Sequence, residues 1–148
     1  LNTLKLLSES NTSTEVRLTG LLYQLNKPQI EDLAAQIKIP NAPKALALAT
    51  SNHQRQLRAY TELGAAQKHL LLSNLGLIRH TELLDDLLSL CQAITQSQEP
   101  LFGWQSPKQH ILDDLESIQS VKPAELMAQG YNGKALGEAL KKAQIASI

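Results

Sequence analysis

An all-α fold, an irregular bundle of about seven to nine helices without a sheet, follows from three features of the sequence. Apolar residues make up 43% of the 148 residues, yet only five are aromatic: Tyr23, Tyr60, Phe102, Trp104 and Tyr131. The core is therefore built from leucine and alanine, which favour helices over sheets. Apolar residues also recur at three- and four-residue spacing through most of the chain, and no alternating strand pattern appears. Finally, Pro28, Pro43, Pro107 and Pro123 stand where first helical turns begin, while Gly64, Gly76 and Gly130 stand where periodic stretches stop. A chain of this length buries roughly 68–70% of its unfolded surface, enough for a core of its own.

Taken in order, Leu1, Leu4 and Leu7 have the spacing of the last turns of a helix begun upstream, and a polar loop follows from Ser8 to Thr14. Val16, Leu18, Leu21, Leu22 and Leu25 form a broad helical stripe. Asn26 is placed to cap a helix that tolerates Pro28 in its first turn and presents Ile30, Leu33, Ala34 and Ile37. The run Ile39-Pro40-Asn41-Ala42-Pro43 predicts a break, with Asn41 as the next cap. A helix is expected from Lys44 to about Leu63, with Leu46, Ala49, His53, Leu57 and Tyr60 on its buried stripe and an interruption at Gly64. A shorter helix spans Gln67 to Asn74. Thr81 then caps a helix burying Leu84, Leu87, Leu88, Cys91 and Ile94. Residues 97–105 read as a loop with Phe102 and Trp104 tucked in as plugs. Ser106 and Pro107 open a helix carrying Ile111, Leu112, Leu115 and Ile118, and Pro123 opens a short one ending at Gly130. The turn Gly130-Tyr131-Asn132-Gly133 follows, with Tyr131 expected to pack inward. It leads to a helix with Leu136, Leu140 and Ala143 on one face and Lys134, Lys141 and Lys142 towards solvent. The chain divides into a helical body, residues 1–95, and a tail, residues 96–148, packed on it as one unit.

Fourteen basic residues balance fourteen acidic ones, so no global field advertises nucleic acid or membrane; an RNA contact has to be a local patch. Cys91 is the single cysteine, which excludes an internal disulfide and fits a reducing cytoplasm. No apolar run approaches the ~20 residues of a membrane span. Without an initiator methionine, the chain reads as a piece of a longer protein. The residues show no local catalytic pattern. His53, His69, His80 and His110 are never four apart, so they make no helical zinc pair. His53 reads as a hydrogen-bonded core histidine and the other three as surface or helix-end residues. Adjacent carboxylates at Asp85 and Asp86, and at Asp113 and Asp114, point about 100° apart on a helix and do not converge on one ion. Cys91 sits on a buried face and reads as core, not nucleophile. There is neither a phosphate-binding glycine loop nor a nucleophile elbow. What remains is basic: Arg55 and Arg58 on one helix, and Lys134, Lys141 and Lys142 on the last. Each has a plain reading as solvated charge, and final-turn lysines also suit the helix dipole.

Several stretches, in this order, resemble one family. Val16 to Lys27 resembles a helix that in proteobacterial CCA-adding enzymes (class II tRNA nucleotidyltransferases) carries a His-Asp metal pair and then Leu-Gly-Lys. Ile30 to Asn41 is similar to the family's next helix, and Leu83 to Ala93 to the one ending in Ala-Cys-Glu-Ala-Asp. The tail from Val121 to Ile145, with its Gly-aromatic-x-Gly turn, is similar to the family's closing segment. The resemblance implies a helical body and tail holding the backbone of a tRNA acceptor–T stem. It also implies an upstream catalytic head, missing from this chain, which uses Mg2+ to transfer CTP and ATP units to the tRNA 3′ end and is a partner of this region. RNA-contact candidates are Lys134, Lys141 and Lys142, then Arg55 and Arg58. The phosphohydrolase module of HD type is degenerate: Tyr23 and Gln24 replace His-Asp, and the following loop shrinks to Asn26-Lys27-Pro28. His53 falls where a further metal-binding histidine of the family would stand, but Gln54 follows it where an Asp is expected. For this chain the expectation is therefore no catalytic residue, no metal and no cofactor. The competing reading is an all-α protein-interaction or homodimerisation module without RNA binding. A third, an active metal phosphohydrolase, needs ligands that this sequence has replaced.

Overall fold

Helix-entry chemistry places the first elements, as a computed structural model shows for residues 2–9, 13–36, 41–101 and 103–148. Among these described residues all regular structure is helical and there is no strand. The α-helices are α1 (Asn2–Glu9), α2 (Thr14–Leu22), α3 (Lys27–Gln36), α4 (Asn41–Arg58), α5 (Ala65–Asn74), α6 (Leu84–Gln98), α7 (Lys108–Ser120), α8 (Pro123–Ala128) and α9 (Gly133–Ala146). Two 3-10 turns, Tyr60–Glu62 and Thr81–Leu83, precede α5 and α6. Ser13 caps α2, its Oγ accepting from the Val16 amide at 3.3 Å. Asn26 forms a reciprocal capping box at α3: its Oδ1 accepts from the Gln29 amide at 3.1 Å, and its own amide donates to Gln29 Oε1 at 3.0 Å.

Two compact units arise, each discontinuous in sequence: Leu1–Ala59 with Glu82–Ser106, and Tyr60–Thr81 with Pro107–Ile148. The boundary drawn from the sequence at residues 95 and 96 falls inside α6.

The first unit is organised on α6, which buries Leu84, Leu87, Leu88, Leu90, Cys91, Ala93, Ile94 and Thr95. Leu90, Ala93 and Ile94 pack with Leu7, Val16 and Tyr23 in one apolar cluster, and Leu22, Ile30 and Ala47 form a second. Each fully buried leucine contributes on the order of 1.5–3 kcal/mol. Gly20 permits the close crossing of α1 and α2, since a Cβ there would meet Leu7 Cδ1 at 2.5 Å. Buried Thr50 and Thr95 return their hydroxyls to the carbonyls of Leu46 and Cys91, both at 2.8 Å, so neither leaves a stranded polar group. The buried face of α4 runs through Ala47, Thr50 and Leu57, whereas Leu46, Ala49 and His53 are half-buried. The stripe read from the sequence holds at Leu57 and Tyr60 and is one residue off at Leu46 and Ala49. Helix α4 packs against α2 and α3 as well as α6, so a broad arc is covered and its centre does not follow the largest side chains. The helix also stops at Arg58, earlier than expected.

In the second unit, buried Tyr60 donates its hydroxyl to Asp114 Oδ2 at 2.8 Å, and Lys68 Nζ lies 3.0 Å from the same oxygen. The ammonium also stands 5.0 Å from the Tyr60 ring centroid. This triad ties the first 3-10 turn to α5 and α7. Burial first, then the bond to Asp114, pushes the Tyr60 phenol above its usual range, keeping it a donor. On α7, Ile111, Leu115 and Ile118 are buried as read from the sequence. Helix α8 closes in a Schellman motif: the Gly130 amide reaches Met127 O at 2.9 Å and the Tyr131 amide Leu126 O at 3.2 Å, with Gly130 at φ +94°.

Other expectations are corrected. His69, read as a surface or helix-end residue, is buried and its Nε2 lies 3.0 Å from Gln144 Oε1. Helix α5 carries Leu70, Leu71 and Leu72 in succession, so its sequence has no readable face, and Leu70 is the one left exposed. Tyr131 does not pack inward; it is 43% exposed, because the turn uses its backbone amide and not its ring. Thr81 opens a 3-10 turn and bonds back to Leu77 O at 3.3 Å instead of capping α6. Asn41 lies within α4. Trp104 is half-buried. The expectations on Leu1, Ile37, Ile39, Pro40 and Phe102 fall outside the described residues.

Candidate nucleic-acid interface

Helix α9 begins where the chain carries least side chain. Extended Asn132 precedes Gly133 at φ +51°, and Asn132 makes no side-chain cap. First-turn amides of a helix have no intrahelical acceptor. One face of α9 is half-buried through Leu136, Ala139, Leu140, Ala143 and Gln144, while Lys134, Lys141 and Lys142 are exposed. Residues seven apart lie about 20° apart around a helix, so Lys134 and Lys141 share one side. Lys134 Nζ is 3.9 Å from Glu138 Oε1, with the two side chains 93% and 65% exposed. A pair that open holds neither partner firmly. Because α9 continues to Ala146, no basic residue occupies its last turn. The dipole account of Lys141 and Lys142 is therefore withdrawn.

The arginines separate. Arg55 is exposed. Arg58 is mostly covered and engages both carboxylate oxygens of Glu99, at 3.4 and 3.0 Å.

Positions that the resemblance assigns to a metal have other partners. Tyr23 is 5% exposed inside the first apolar cluster, its hydroxyl accepting from Gln24 Nε2 at 3.0 Å and Gln98 Nε2 at 3.4 Å. His53 Nδ1 lies 2.9 Å from Gln56 Oε1 on a half-exposed surface, which corrects its reading as a core residue. A neutral phenol and carboxamides do not replace imidazole and carboxylate around a divalent ion. Among the described residues no three His, Cys, Asp or Glu side chains converge on a metal position. Cys91 is 1% exposed; burial pushes its thiol up to about 12, slightly opposed by Arg58. A thiol so placed is not a nucleophile. Sequence reading missed both the Tyr60–Lys68–Asp114 triad and the His69–Gln144 bond. Partners 46 to 75 residues apart leave no local signal.

No family model matches the chain, and no solved structure does. Curated relatives do. The Multifunctional CCA protein of Hahella chejuensis (strain KCTC 2396) is 28% identical over 157 residues, covering 90% of this chain and 36% of that protein. This chain is a relative of the multifunctional CCA proteins. That of Teredinibacter turnerae is 28% identical over 162 residues, covering 95% of the chain and 39% of its own length. That of Legionella pneumophila (strain Lens) is 25% identical over 167 residues, covering all of the chain and 40% of itself. The chain thus spans roughly two-fifths or less of the length of these multifunctional CCA proteins. The Legionella alignment is longer than the 148 residues here, so that relative carries residues this chain lacks. Among the described residues, no helix is long and apolar enough to cross a membrane.

Proposed function

We propose that this chain is the tRNA-holding helical body and tail of a cytoplasmic CCA-adding tRNA nucleotidyltransferase. Nucleotide transfer, with its Mg2+ and its CTP and ATP sites, belongs to a catalytic head outside this chain, which is its intramolecular partner. The observation that carries this reading is the similarity that covers 90–100% of the chain but only 36–40% of multifunctional CCA proteins. The exposed lysine face of α9 supports it. A-form RNA is held through phosphates and 2′-hydroxyls by shape, which asks for cations beside a backbone free of bulky side chains. Lys134 beside Gly133, and Lys141 two turns on, meet that description, with Lys142 and Arg55 as outer contacts. Arg58 serves through its ion pair with Glu99 as a structural residue. The phosphohydrolase module is degenerate: Tyr23 contributes to the core where a ligand would stand.

The test is tRNA binding by fluorescence anisotropy with the 148-residue chain. Three lysine–phosphate contacts predict a loss of roughly 20- to 40-fold in affinity between 50 and 200 mM salt. Reversing Lys134, Lys141 and Lys142 to Glu is expected to abolish most of that salt dependence without changing the thermal melt. Unaltered affinity in the triple variant would remove α9 from the contact surface. Zero net charge and the exposed Met127 and Tyr131, at 59% and 43%, favour the second reading, a protein-interaction or homodimerisation surface. Light scattering that finds a dimer, together with no tRNA binding, decides for it.

A further inference from the structure

The second unit contains a cavity of about 630 Å³ that the tRNA reading does not use. Its size falls within the range of small-ligand sites. Its polar lining is His69 and Ser73 from α5, Arg79 and His80 from the turn after it, and Gln144 from α9. The chain as a whole balances acid and base, yet no carboxylate lines this cavity. The geometry is held from both sides. His69 is 6% exposed, and its Nε2 lies 3.0 Å from Gln144 Oε1. An amide oxygen only accepts, so with Gln144 Oε1 as the partner the Gln144 NH2 keeps two donors. Among the described residues that NH2 meets no acceptor, and Arg79 pairs with no carboxylate. The backbone beneath Arg79 and His80 is fixed: their amides donate to Gly76 O at 3.2 and 2.9 Å, and the Leu77 amide closes α5 onto Leu72 O at 3.0 Å.

We propose that this cavity binds the phosphate group of a small phosphate ester. The Arg79 guanidinium takes two phosphate oxygens in its planar fork, and the Ser73 hydroxyl and Gln144 NH2 donate to the remaining oxygens. A phosphate monoester has enough acceptors for this set of donors, whereas a carboxylate satisfies the arginine and leaves the others unmet. The volume admits a sugar-sized group beside the phosphate. This inference is independent of the tRNA reading.

The experiment is a 1H–15N NMR titration of the 148-residue chain with inorganic phosphate, ribose 5-phosphate and sodium acetate at fixed ionic strength. Saturable shifts at Ser73, Arg79 and the Gln144 side-chain amide are expected. Ribose 5-phosphate should bind at least about tenfold more tightly than acetate. Arg79 is exposed, so R79Q should keep the fold, seen as an unchanged spectrum elsewhere, and weaken phosphate binding about tenfold or more. Acetate matching phosphate, shifts that stay linear, or shifts confined to Lys134, Lys141 and Lys142 would each overturn the assignment. So would an R79Q variant that binds as well as the parent.

Discussion

Helices α6 and α9 are nearly equal in length, 15 and 14 residues, but α6 carries four leucines and one alanine where α9 carries two leucines and four alanines. Helix α6 buries eight residues, while α9 has none in the buried class. Composition is part of the difference, since α6 has no lysine and α9 has three, and their neighbours supply the rest. Helix α6 is packed by α1, α2 and α4, so its apolar arc is covered from several directions. Helix α9 meets α5, α7 and α8 along one face and leaves the opposite face, with its lysines, in water. Stability is therefore concentrated in the first and available surface in the second.

The largest effect should come from breaking this contrast in the core. Leu90→Ala, at a position with 0% exposure, is expected to cost about 2–5 kcal/mol in urea unfolding. Leu140→Ala, on the half-buried face of α9, is expected to cost clearly less. Equal costs would erase the distinction. Asp114→Ala should cost about 1–3 kcal/mol, since it strands the Tyr60 hydroxyl and the Lys68 ammonium, whose side chain is only 19% exposed. Asp114→Asn, which keeps an acceptor for Tyr60, should recover part of it, as measured by the same unfolding curves.

Cys91 provides a pH test of α6. Its folded-state thiol, at about 12, lies above the ordinary value near 8.5, so the folded form holds the proton more tightly. The contribution is fully present below about pH 8.5 and declines as pH rises towards 12. By pH 10 the loss should reach about 1–2 kcal/mol, and Cys91→Ala should remove that slope. Persistence of the slope in the variant would assign it to other groups. Smallest of all, Gly137→Ala on the exposed side of α9, with no atom within 4 Å of the added Cβ, should stabilise by about 0.5–1 kcal/mol. A loss of stability there would mean that the face is covered, and would weaken its use as a nucleic-acid surface.

Much of the helical order was legible because its signals are local. The Asn26 cap, the stop at Gly130 and the inward face of α6 each depend on residues within one or two turns. The relation to CCA proteins was legible for a similar reason, as an ordered series of short stretches. The site was legible in part. Lys134, Lys141 and Lys142 stand out as solvent-facing, but nothing beside Arg58 in the chain announces Glu99. The errors cluster where periodicity is flat or ambiguous: His69 in a run of apolar neighbours, Tyr131 in a turn, and the buried arc of α4.

By itself, the sequence determined the helical class, helix ends such as the Asn26 cap and the stop at Gly130, and the presence of Tyr23 and Gln24 where the resemblance implies a His-Asp pair. Those properties follow from residue type and from spacing within a few turns. Only the tertiary structure decided that Tyr23 is a core residue and that Tyr60, Lys68 and Asp114 form a triad. It also decided that His69 and Gln144 meet in the lining of a cavity. Such pairs join residues as far as 75 positions apart, and helical periodicity carries no information about which distant face will cover which.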